Sequence, residues 1–115
     1  MNMVTDTSIG MSHQQMVDRA GEVAELLRTL SHPARLMLAC ALAEKEYSVG
    51  ELEQGLGIRQ PTLSQQLGVL RESGIVETRR EAKQIFYHLT ETKAAQLIEA
   101  LYGIFCNDAP KGALS

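Results

Sequence analysis

The chain lacks the features of a membrane protein, a disulfide-stapled scaffold or a metal-cluster protein. Its longest apolar run, Leu36 to Ala43, falls far short of the ~20 residues that cross a bilayer, and no basic residue precedes Arg19. Neither a spanning helix nor a secretory signal is expected. There are two cysteines, Cys40 and Cys106, and no C-x-x-C pair, so neither a disulfide framework nor a zinc ribbon is expected. That usage suits a reducing cytoplasm, where the thiols stay free. No glycine-rich phosphate loop or nucleophile elbow accompanies them, and none of His13, His32 and His88 has a catalytic or metal-spaced neighbour. Enzyme activity, a cofactor and a metal are therefore not expected. Internal repeats and low-complexity segments are absent as well.

A chain of 115 residues fits one small domain whose core would gain from a partner subunit. Residues 1–11 show no periodicity and read as a flexible arm, and 107–115 read as a frayed tail, leaving 12–106 as the folded unit. Ser12 and Gln15 have capping-box spacing, after which Met16, Ala20, Val23, Leu27 and Leu30 mark one face of a helix. A second helix runs from Pro33, tolerated in a first turn, to about Glu44. Ser48 and Glu51 cap a short third helix that stops at Gly57, and Gln60-Pro61 starts a fourth that ends at Gly74, with Leu63, Leu67 and Leu70 facing inward. The segments Ile75 to Arg80 and Gln84 to Leu89 read as a hairpin around Glu81-Ala82-Lys83. Thr90 is expected to cap a final helix whose apolar face, including Ala94, Leu97, Ile98, Leu101, Tyr102, Ile104 and Phe105, is too wide for one small core to cover.

The formal net charge of −3 does not suggest a nucleic-acid partner. Charge is unevenly placed, however: between Arg59 and Lys83 five cations face three carboxylates. SVGELEQGLGIRQPTLSQQLGVLRESG has the parts of a helix-turn-helix, and removing the leucine stripe from its longer helix exposes Gln60, Thr62, Ser64, Gln65 and Arg71. Gln can bond adenine edges in two places, and Ser and Thr reach bases or phosphates. Arg79, Arg80 and Lys83 near the hairpin tip suit a wing that touches backbone or a minor groove. The fold expected is mainly α with a β-hairpin wing, a winged helix-turn-helix that binds double-stranded DNA. A solvated polar face beside an ordinary charged hairpin, or a winged helix used for protein contact, are the competing readings.

LRTLSHPARLMLACAL, then SVGELEQGLGIRQPTLSQQLGVLRESGIVETRREAKQIFYHL and the terminal IFC, resemble the ArsR-type bacterial repressors, and within them the sulfide-responsive, biofilm-growth-associated branch. The resemblance covers roughly residues 20–106. It implies a homodimer built from the first and last helices, and operator half-sites about one helical turn apart. Many ArsR-type proteins sense metals, but SVGELEQGLG has no Cys or His, and the last helix, Glu91 to Phe105, has no His or Asp.

From local sequence alone, Cys40 in its apolar helix reads as buried packing, whereas Cys106 at a helix end reads as partly exposed, with no adjacent Lys or Arg to activate it. The resemblance implies instead that Cys40 and Cys106 form a sensing pair, cross-linked by reactive sulfur species, persulfides above all, with release of the operator. The alternative is a repressor responding to metal or another ligand, its thiols not a redox pair. Because a disulfide needs Cα atoms about 4.4–6.8 Å apart, thiols held farther apart than that would favour a longer polysulfide bridge, which is the product expected here.

Overall fold

A computed structural model describes residues 12–106. The elements follow in the order α1 (His13–Leu30), α2 (Pro33–Glu44), β1 (Tyr47–Ser48), α3 (Val49–Leu56), α4 (Thr62–Glu72), β2 (Val76–Glu81), β3 (Gln84–Leu89) and α5 (Thr92–Phe105). The arm expected at 1–11 and the tail expected at 107–115 lie outside the described residues.

Local chemistry sets most of these boundaries. Ser12 and Ser48 each complete a capping box, their hydroxyls accepting from the amides of Gln15 and Glu51 while those side chains accept from the cap N–H groups. His32 caps α2 through Nδ1, which accepts from the Ala34 amide at 3.1 Å, and Pro33 occupies the first turn, where its missing N–H leaves no bond unmade. Helix α4 closes in a Schellman motif: Ile75 N–H donates to Leu70 and Gly74 N–H to Arg71, with Gly74 at φ +83°, a conformation that a side chain would strain.

The start of α5 differs from expectation. Glu91, not Thr90, is the cap, its carboxylate accepting from the Lys93 amide at 3.0 Å. Thr90 is turned the other way, its N–H donating to the Ile75 carbonyl at 2.9 Å and so tying the end of the hairpin to its beginning.

The hairpin joins β2 and β3 in antiparallel register with Arg79 opposite Phe86, around the two-residue turn Ala82-Lys83. A third strand, β1, was not legible in the sequence. It pairs with β3 through Tyr47 and Ser48, giving the strand order β1-β3-β2, so the wing is stitched to the junction between α2 and α3.

Leu63, Leu67 and Leu70 of α4 are buried as their spacing predicts, in one core with Leu38, Ala39 and Leu42 of α2, Leu52 of α3, Ile75 and Val76 at the start of the wing, and Ala94 and Ile98 of α5. Helix α1 contributes little: Leu30 is buried and Leu26 partly so, whereas Met16, Val23 and Leu27, expected on its inward face, are exposed. On α5, Tyr102, Ile104 and Phe105 are exposed too, Phe105 at 75%. Two helices therefore carry apolar faces that the single-chain core leaves uncovered.

Candidate functional site

Burying the leucine stripe of α4 turns its other side to solvent. Thr62, Ser64, Gln65 and Arg71 are exposed along it, with Gln60 just ahead of its first turn. Pro61 has no side chain able to cap, and Gln60 takes over: its Oε1 accepts from the Ser64 amide at 3.2 Å and from the Ser64 hydroxyl at 2.7 Å. That leaves the Gln60 amide donors and the Gln65 and Thr62 side chains directed at whatever meets this face. Hydrogen-bonding groups of little net charge on one helix are suited to reading base edges.

The hairpin residues divide. Arg80 and Lys83 are exposed and make no ion pair among the described residues. Arg79 is held instead. Its Nε and Nη2 each donate at 2.7 Å to the two oxygens of Glu46, its Nη1 donates to Glu81 at 2.9 Å, and its guanidinium lies over the Phe86 ring at 4.8 Å. The two carboxylates hold the Arg79 guanidinium well above its ordinary pKa, and Arg79 in turn lowers that of Glu46.

Two residues that motif reading passed over position α4. Arg35 of α2 donates through Nη1 to Gln66 Oε1 at 2.8 Å and through Nε to the Thr29 carbonyl, joining α1, α2 and α4. Gln66 sits between Leu63, Leu67 and Leu70 on the edge of the buried stripe, and a half-buried amide there requires a partner. That placement is the signal by which the pair could have been found.

Cys40 is not buried, which corrects the packing expected from its apolar surroundings. Leu38, Ala39 and Leu42 form the buried stripe of α2, and Cys40 lies off it, with Met37, Ala41 and Glu44 at helical spacing. These residues edge an open groove of about 940 Å³ between α2, α3 and α5, whose walls include Leu52, Ile98 and Tyr102. Partial removal from water against these walls pushes the Cys40 thiol up, and the nearby Cys106 sulfur and Glu44 carboxylate push in the same direction. Cys106 is half-buried at the end of α5, its N–H donating to the Tyr102 carbonyl at 2.9 Å. Both thiols are free.

Among the described residues no three His, Cys, Asp or Glu side chains come together as metal ligands, and no helix is long and apolar enough to cross a membrane.

Residues 32–78 match the family described as bacterial regulatory protein, arsR family. The chain is 71% identical over 104 residues to the biofilm growth-associated repressor of Xylella fastidiosa strain 9a5c, spanning 90% of this chain and 91% of that protein. It is 78% identical over 91 residues to the biofilm growth-associated repressor of Agrobacterium fabrum, spanning 79% of this chain and 78% of that one. The crystal structure of the transcriptional repressor BigR from Xylella fastidiosa superposes with a TM-score of 0.78 at 74% identity, over 84% of this chain and 98% of that one.

Proposed function

Because the chain belongs to the ArsR family of bacterial regulatory proteins, we propose that it is a homodimeric, cytoplasmic transcriptional repressor that binds operator DNA when reduced and releases it when reactive sulfur species cross-link Cys40 and Cys106. It is a winged helix-turn-helix protein and not an enzyme. Helix α4 enters the major groove, where Gln60, Thr62, Ser64 and Gln65 meet bases or phosphates. Arg71 at the far end of the helix, with Arg80 and Lys83 on the wing, contacts the backbone. The exposed apolar faces of α1 and α5 supply the dimer contact, so that two recognition helices address half-sites about one helical turn apart.

The thiol chemistry needs only a persulfide, R–S–SH, as oxidant. One cysteine thiolate attacks its outer sulfur, giving a protein persulfide and releasing R–SH. The second cysteine then attacks the sulfur bonded to the protein, closing a disulfide and expelling hydrogen sulfide, so two thiols are oxidised and one persulfide is reduced. If both cysteines are persulfidated first, their condensation loses one hydrogen sulfide and leaves a trisulfide. Either bridge ties α2 to α5, and a coupling of about 1–3 kcal/mol between bridge and operator would lower affinity about 5- to 150-fold. Genes that oxidise or export sulfide would then be derepressed.

The observation that carries this reading is the placement of two free thiols, one exposed on α2 and one half-buried at the end of α5, with Cys106 among the neighbours that push the Cys40 thiol up. The test titrates a duplex, selected from a random pool by the reduced protein, with reduced, persulfide-treated and peroxide-treated protein and with Cys40→Ser and Cys106→Ser, recording intact mass for each. Persulfide should release the duplex from wild type and from neither variant, and the intact mass separates a disulfide, with two hydrogens lost, from the longer bridge, which retains sulfur. Release of both serine variants by persulfide would sink the dithiol mechanism.

A further inference from the structure

We propose that Arg79 is a positioning residue, a strut that clamps the wing to the segment leaving the thiol-bearing helix, and not a phosphate contact. Its guanidinium makes a two-bond fork to one carboxylate, a geometry that fixes both partners in a way a lysine could not. Beneath it lies Phe86, its register partner on β3, so the side chain crosses the middle strand to reach Glu46. Glu81 takes a third donor. The two carboxylates that hold Arg79 offset its charge and so weaken its pull on a phosphate. Arg80 and Lys83, exposed on the same hairpin, have no such carboxylate fork among the described residues.

The far end of the strut gives it meaning. Glu46 lies two residues beyond the last residue of α2 and immediately before β1. Strand β1 is two residues long, so its ladder with β3 supplies few hydrogen bonds to hold the wing. The clamp adds a second tie between wing and junction, its two residues 33 positions apart in sequence. His88 also faces Glu46, with Nδ1 buried and unpartnered at 3.8 Å from Oε2, too far for a hydrogen bond. A shift at the end of the helix that carries Cys40 therefore moves Glu46, and with it the wing that presents Arg80 and Lys83.

The part of this inference that concerns DNA rests on the operator-binding reading; the clamp itself does not. Two measurements on the reduced full-length chain separate them. The first is hydrogen exchange of residues 84–89 without DNA in wild type, Glu46→Gln, Arg79→Gln and the double variant. Both single variants should speed exchange severalfold and equally, the double no further. The second is affinity for the selected duplex across a salt series. A strut predicts that the two single variants weaken binding alike, by about 2- to 10-fold, and leave the salt slope unchanged. The charge-swapped double variant Glu46→Arg with Arg79→Glu should recover much of the loss.

If Arg79→Gln alone weakens binding and lowers the salt slope by about one, while Glu46→Gln binds as well or better, Arg79 is a phosphate contact and the proposal fails. Unchanged wing exchange in both single variants also overturns it. A protein that binds no duplex from the pool refutes the operator-binding reading, and the exchange measurement then decides the clamp alone.

Discussion

Gln60 Oε1 accepts two hydrogen bonds from Ser64, from its amide at 3.2 Å and its hydroxyl at 2.7 Å, and so closes the first turn of the recognition helix that Pro61 leaves uncapped. Two residues read from the sequence as separate DNA contacts are thus one unit in the free protein. If Gln60 meets DNA as proposed, stability and DNA contact share one side chain, and a truncation would disturb both.

Gln60→Glu separates them. A carboxylate keeps the acceptor oxygen and adds a negative charge at a helix N-terminus, which favours the helix by about 0.3–1 kcal/mol. The same charge faces incoming phosphates and loses the amide donors. Thermal melting should therefore show equal or slightly higher stability than wild type, while affinity for the selected duplex falls at least tenfold. Unchanged affinity would remove Gln60 from the DNA interface.

The thiol pair makes a prediction about rate. Burial, Cys106 and Glu44, in that order, hold the Cys40 thiol above its ordinary range, so its thiolate is scarce at neutral pH. Alkylation of Cys40 by iodoacetamide, followed by peptide mass, should accelerate as pH rises beyond the ordinary thiol range. Cys106→Ser and Glu44→Gln each remove a neighbour that raises the Cys40 thiol and should shift that profile toward lower pH. A profile unmoved by either change would mean that desolvation acts alone.

Arg35 joins α2 to α4 through Gln66 and to the end of α1 through the Thr29 carbonyl. Arg35→Ala strands a half-buried amide and frees the recognition helix on one side. The loss of charge-assisted hydrogen bonds should cost about 1.5–3 kcal/mol in urea unfolding. Operator affinity should also fall, but with the salt slope of wild type, because Arg35 would hold the reading helix without touching a phosphate.

Legibility followed the range of each interaction. Caps at Ser12 and Ser48, the Leu63-Leu67-Leu70 stripe and the glycine that ends α4 depend on neighbours within a turn, and spacing alone revealed them. Strand β1 is two residues long and owes its existence to a partner 40 positions away, beyond any periodicity. Glu46 and Arg79 carry no local mark of their pairing, and an arginine on a hairpin reads the same whether it is clamped or free. Cys40 shows a third limit: apolar neighbours in sequence say that a helix is buried somewhere, whereas which side is buried depends on what packs against it. The wide apolar face of α5 was legible as an excess, and the structure leaves that excess uncovered.

That excess allows a sharp test of assembly. Ile104 and Phe105 are 68% and 75% exposed, and Leu27 on α1 is 47% exposed, so none of them holds the single-chain core together. Each large apolar side chain taken from water in a dimer contributes about 1.5–3 kcal/mol. Phe105→Glu both forfeits that burial and places a charge on an apolar face, so sedimentation should show a monomer at concentrations where wild type is a dimer. Circular dichroism should stay unchanged, because the domain's own core loses nothing. Leu27→Glu, on the other helix, should do the same. Because two half-sites are then no longer held on one particle, both variants should lose most of their affinity for a two-fold symmetric duplex while keeping weak binding to a single half-site. If Phe105→Glu stays dimeric, the interface lies elsewhere, and the exposed face of α5 needs another partner.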